Sequence, residues 1–123
     1  MEYKGIIWAG ASVEDLERSI AFYRDVLGLP LMRQGDGWAH FDTSNDTLLE
    51  LSSGGAASAE VKGPEQQSIV IAIRVDDLDG VVEALKGKGV RFIGEIEAYR
   101  NHRWTYFSDV EGNRLEIKEI KNG

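Results

Sequence analysis

Val13-Glu14-Asp15-Leu16 opens one amphipathic stretch of this chain, and Val75-Asp76-Asp77-Leu78 opens a second. Leu49-Glu50-Leu51 and Leu115-Glu116-Ile117 then close the two halves in the same order. An apolar run, an acidic helix start, a helical periodicity, further strands and a Glu between two aliphatics each occur twice. The repeat predicts two modules of one kind. It also allows each position in one half to be compared with its counterpart in the other.

Outward from the first stretch, Leu16, Ile20, Tyr23 and Leu27 fall at helical spacing and predict one apolar face. Ser12 and Asp15 form a candidate capping pair, and acidic residues suit a helix start. Gly28 stops the helix. Strands are predicted at 6–11, 29–33, 38–42 and 47–52, with turns at Gly35-Asp36-Gly37 and Asn45-Asp46. The second half restarts with a strand at 68–75. Its helix runs from Asp76 or Asp77 to about Lys88, with Leu78, Val81, Val82 and Leu85 inward, and ends at Gly89. Strands at 90–93, 104–107 and 114–120 follow, the last after a turn at 109–113.

The predicted class is therefore α+β. Two tandem βαβββ modules form a curved mixed sheet around a concave pocket, with helices on the outer face. Module one covers about 1–53 and module two about 68–123 of a single domain. The segment 54–67, rich in Gly, Ala, Ser and polar residues, is expected to be a solvated, mobile linker.

Composition limits what the protein does. A length of 123 residues, 42% of them hydrophobic and 28% charged, fits one ordinary globular core. A formal net charge of −7 argues against nucleic acid as a partner, because phosphate binding needs a basic face. No apolar run approaches the ~20 residues that cross a membrane. Met1-Glu2-Tyr3-Lys4 has no signal-peptide pattern, so the cytoplasm is the expected location. With no cysteine, disulfides, Cys–zinc sites and thiol nucleophiles are excluded.

Val13-Glu14-Asp15-Leu16-Glu17-Arg18-Ser19, with Phe22-Tyr23-Arg24-Asp25-Val26-Leu27-Gly28-Leu29, resembles the vicinal oxygen chelate superfamily. This is the glyoxalase, bleomycin-resistance and extradiol-dioxygenase group. Arg74-Val75-Asp76-Asp77-Leu78, Phe107-Ser108-Asp109 with Gly112-Asn113, and the two Glu-containing strands extend the likeness over nearly the whole chain. Val110 departs from the Pro usual in that last turn. The resemblance implies that metal-using members carry a His on the first strand of each module and a Glu on the last. Here the two His positions fall on Trp8 and Val70, whereas the carboxylates remain as Glu50 and Glu116. Two carboxylates make a poor site for zinc, nickel or iron. The expectation is no metal and no other cofactor. The alternative is a divalent ion held by Glu50 and Glu116, with His40 as a rearranged ligand.

Strands alternate faces, so parity assigns the remaining side chains. Ala9, Ala11 and Val13 suit the helix-packed side, as do Phe41, Leu49, Leu51, Phe107, Leu115 and Ile117. The other face then carries Trp8, Trp38, His40, Glu50, Val70, Trp104, Tyr106, Arg114, Glu116 and Lys118, with His102 near the rim in a polar loop. Indoles beside a few charges make a usual small-molecule surface. Trp8 is either a stacking wall or a plug. Glu50 and Glu116 are either catalytic acid/base groups or relics paired with Arg114 or Arg74. The expected function is metal-independent binding of an aromatic or amphipathic compound, such as antibiotic sequestration, in a Trp-lined cavity. The alternative is a glyoxalase-like lyase, isomerase or dioxygenase using Glu50 and Glu116. A metal-free enzyme abstracting a proton next to a carbonyl is a third reading. The expected partners are a small molecule and a second copy in a homodimer.

Overall fold

The computed structural model describes residues 1–122. Its contacts divide the chain into Met1–Ala57 and a second unit from Ser58 onward. Each unit is one βαβββ module.

In module one, β1 (Trp8–Val13) runs parallel to β4 (Leu48–Ser53), which pairs antiparallel with β3 (Trp38–Asp42). β2 (Leu31–Gly35) completes the sheet in the order β1-β4-β3-β2. A parallel pair needs a crossover over one face, and α1 (Leu16–Ala21) packs against β4 on that route. Val13, Ala39, Phe41 and Leu51 are fully buried beneath it. This is the alternation that parity predicts.

The first helix departs from its expected form in two ways. The cap is Asp15 alone, whose carboxylate accepts from the Arg18 amide at 3.1 Å. Ser12 is still in β1, because β1 holds its register with β4 as far as Val13 opposite Ser53. The helix then widens after Ala21 into a π-helical turn, Phe22–Val26, in which the Leu27 amide donates to the Phe22 carbonyl at 3.0 Å. A uniform α-helix would turn one of two consecutive aromatics outward. The wider turn buries both Phe22 and Tyr23, with rings edge to face at 5.5 Å, and sets Tyr23 6.0 Å from Phe41. Gly28, at φ +78°, ends the segment, and β2 begins two residues later than predicted.

In module two, β5 (Ile71–Arg74) is parallel to β8 (Arg114–Ile120), followed by β7 (His102–Ser108) and β6 (Arg91–Tyr99) in the order β5-β8-β7-β6. α2 (Leu78–Gly87) buries Leu78, Val82 and Leu85 and is capped by Asp77, which accepts from the Gly80 amide at 3.1 Å. β5 is shorter than the predicted 68–75, which leaves Val70 ahead of the strand and 37% exposed. β6 is longer than the predicted 90–93. A register shift between Ile93 and Glu97, with Gly94 at φ +77°, lets pairing resume as far as Tyr99 opposite His102. His102 is therefore a strand residue, and the expected polar loop shrinks to the turn at Arg100-Asn101.

The segment expected as a free linker is tied down on both sides of Ala57. The Gly55 amide donates to the Val13 carbonyl at 3.0 Å, and the Ala57 amide to Glu14 at 3.2 Å. From Ser58 the chain belongs to module two. The Ser58 and Lys62 amides donate to the Glu111 and Gly112 carbonyls, both at 2.9 Å, and the Lys62 ammonium reaches Asn113 Oδ1 at 2.8 Å. Composition described these residues as polar, but did not reveal that the 109–113 turn offers them acceptors.

Candidate functional site

Module one presents Trp8, Trp38, His40 and Glu50 on the face opposite α1. His40 and Glu50 are register partners on neighbouring strands, so their side chains leave the sheet side by side. His40 Nε2 lies 2.7 Å from Glu50 Oε1, and the Trp38 ring sits 4.7 Å from the imidazole at 49°. The carboxylate thus fixes the imidazole while an indole covers its side. Both side chains of the pair keep about a quarter of their surface in solvent, 23% for His40 and 27% for Glu50.

Two glycines explain where the indoles lie. A Cβ added at Gly10 would collide with the Trp8 indole, and one added at Gly35 would collide with the Trp38 indole. Each ring therefore reaches over a residue with no side chain. Gly10 is the register partner of Glu50, so the Trp8 indole ends beside that carboxylate. Trp8 remains 51% exposed, which is too open for a core plug. Glycine inside a strand signals a close approach, a signal the sequence carried at Gly10, whereas Gly35 reads as a turn residue and proves to be the last residue of β2.

Module two presents Trp104, Tyr106, Arg114, Glu116 and Lys118, with His102 on the same parity, all half-buried on the face opposite α2. Tyr106 is the register partner of Glu116, and Trp104 of Lys118. Burial first, and then a hydrogen bond to the Glu116 carboxylate, raise the Tyr106 phenol above its usual range. Lys118 Nζ lies 5.3 Å from the Trp104 ring centre, and the Arg114 guanidinium carbon 5.9 Å from that of Tyr106. Both are cation–π distances. Lys118 lies on this face, as strand parity predicts. Val70 lies outside the strand and contributes no polar atom.

A model of the glyoxalase/bleomycin resistance protein/dioxygenase superfamily matches residues 5–117. The chain belongs to this superfamily. The metallothiol transferase FosB of Staphylococcus epidermidis is 29% identical over 115 residues, covering 93% of this chain and 82% of that protein. TnmS3, an antibiotic binding protein from Streptomyces sp. CB03234, superposes with a TM-score of 0.75 at 23% identity, covering 98% of this chain and 99% of that one. The fosfomycin resistance protein FosX of Listeria monocytogenes, solved with Mn(II) and sulfate, superposes with a TM-score of 0.75 at 18% identity, over 98% of this chain and 93% of that one. The two structures share the βαβββ fold with this chain.

FosX raises the question of a metal here. Taken separately, each module's donor set fits a divalent ion poorly. In module one, His40 and Glu50 are hydrogen-bonded to each other, and the Trp8 indole occupies the sheet surface beside Glu50. In module two, Glu116 stands opposite Tyr106 and between Arg114 and Lys118, two cations that oppose a third positive charge. Among the described residues no three His, Asp or Glu side chains cluster as a ligand group.

Proposed function

We propose that this protein binds a small aromatic or amphipathic molecule on its Trp-bearing sheet faces without a metal, in the manner of an antibiotic-sequestering member of its superfamily. The observation that carries this reading is the indole pair of module one, each ring laid open over a strand glycine. Such platforms supply stacking area of the kind that contributes about 0.5–1.5 kcal/mol per aromatic contact beyond burial. TnmS3 shares the fold and binds an antibiotic, which supports the same class of ligand. Titration of intrinsic tryptophan fluorescence with a panel of aromatic antibiotics tests it. Saturable quenching is expected, and silence of all three indoles toward every compound that binds calorimetrically would count against it. Elemental analysis of purified protein is expected to give sub-stoichiometric Zn, Ni, Mn and Fe. A stoichiometric ion lost on Glu50→Gln or Glu116→Gln would favour the metal-dependent lyase, isomerase or dioxygenase instead.

A second reading is supported by the 2.7 Å His40–Glu50 pair. A carboxylate-held imidazole is a general-base arrangement, suited to removing a proton next to a carbonyl. A pH–rate profile abolished by both His40→Gln and Glu50→Gln would select it. The protein is also proposed to form a homodimer. Ile6, Ile7 and Ile69 are exposed beside Trp8 and Val70 in sequence, and light scattering on a sizing column measures the mass.

A further inference from the structure

The module-two face carries a charge pattern that the proposed function leaves unused. Its two aromatic rings already have cations over them, Lys118 on Trp104 at 5.3 Å and Arg114 on Tyr106 at 5.9 Å. A cationic ligand would have to displace these groups and would then face them. A cation–π mode for the ligand is thereby closed on this face.

Arg114 adds a more specific feature. Its Nε is buried and finds no hydrogen-bond acceptor among the described residues. Leaving such a donor unmet is costly, so the side chain is held here at the expense of one hydrogen bond. The backbone below it is fixed, since Gln67 Oε1 accepts from the Arg114 amide and Gln67 Nε2 donates to the Arg114 carbonyl, both at 2.7 Å. The guanidinium therefore stands on an anchored base. Glu116, the carboxylate between the two cations, is the register partner of Tyr106 and stands beside it. The planar guanidinium of Arg114, on a half-buried residue, suits a planar carboxylate, which it can receive through two parallel N–H···O bonds.

We propose that the module-two face takes an anionic aromatic ligand, its carboxylate received by Arg114 and its ring lying against Tyr106 and Trp104, with Lys118 excluding cationic competitors. This rests on the small-molecule reading above and names the charge class of its ligand. The test is calorimetric titration of the full chain with three probes of one shape: 2-naphthoate, 2-naphthamide and 2-naphthylmethylammonium. The carboxylate is expected to bind about tenfold more tightly than the amide, as a charge-assisted pair would give, and the ammonium least tightly. Arg114→Gln is expected to bring the carboxylate down to the level of the amide while leaving the amide unchanged. Arg114→Lys is expected to restore only part of the difference, because an ammonium lacks the fork. The series on the unaltered chain needs no variant, so it decides the matter even if Arg114→Gln fails to fold. Equal binding of all three, or tighter binding of the ammonium, overturns this inference and leaves the small-molecule reading standing. Binding of none at millimolar concentration overturns both.

Discussion

Gly10→Ala isolates the platform under Trp8. Gly10 lies inside β1, outside the left-handed backbone region, so alanine is compatible with its conformation. The new methyl, however, would occupy the space of the indole, and the indole must lift. Trp8 is 51% exposed, so lifting it forfeits about half of the ~200 Å² that a buried tryptophan covers. At about 25 cal/mol per Å² that is about 2.5 kcal/mol. Replacing Gly by Ala returns about 0.4–1 kcal/mol by restricting the unfolded chain. The expected net loss is about 1.5–2 kcal/mol, measured by urea unfolding, together with a red-shifted tryptophan emission and weaker ligand binding. The decisive measurement is a double-mutant cycle. With Trp8→Ala in place there is no ring to displace, so Gly10→Ala should become neutral or slightly stabilising. If Gly10→Ala costs the same with and without Trp8, the platform argument is wrong.

Three further outcomes follow from named contacts. Asp109 accepts from the Glu111 amide at 2.8 Å and from the Asn113 amide and side chain at 2.9 Å each, so Asp109→Ala should cost about 2–3 kcal/mol in chemical denaturation, and Asp109→Asn less. Glu119 is held below the usual carboxylate range, chiefly by the Leu78 amide at 3.1 Å, with the charges of Lys121 and Arg103 adding to it. A depressed carboxylate contributes stability that is present above its unfolded value of about 4.3 and lost as pH falls through the folded value. The melting temperature should therefore fall steeply below about pH 4, and Glu119→Gln should flatten that fall. Glu50→Gln should keep the fold by circular dichroism while weakening ligand binding, because the amide holds His40 less firmly than the carboxylate does; unchanged affinity would remove Glu50 from the site.

The repeat made the two modules legible because it is written in strand parity and helix starts, both of which are local. Every face assignment in β3, β4, β7 and β8 is observed, from Trp38 and His40 to Glu116 and Lys118. What escaped were features set by a neighbour distant in the chain. The π-turn at Phe22–Val26 exists because Phe41 gives Tyr23 a place to pack. Segment 58–67 is ordered by carbonyls at 111–112. Glu119 shares the parity of Leu115 and Ile117 and should by pattern have been apolar; it is buried because it caps α2 and meets Arg103 at 3.4 Å.

The faces on which the candidate residues sit were legible in strand parity, Val70 excepted, but their geometry was not, and the geometry bears most on the proposed function. At Trp8 the side chain standing in for a ligand does not merely subtract a nitrogen donor. A ring of that size cannot stand over β1 unless the next residue on the same face is small, and that residue is Gly10. The ring is thus accommodated two residues away on its own strand, and Trp38 is accommodated by a different route, over Gly35, its register partner across the β2–β3 pair. A large ring kept open to solvent on a surface cleared to receive it is what stacking requires, and a third indole in module two, Trp104, is kept from cations by its own Lys118. On the reading proposed above, an indole where the family resemblance places an imidazole on the first strand offers a stacking surface in place of a metal ligand.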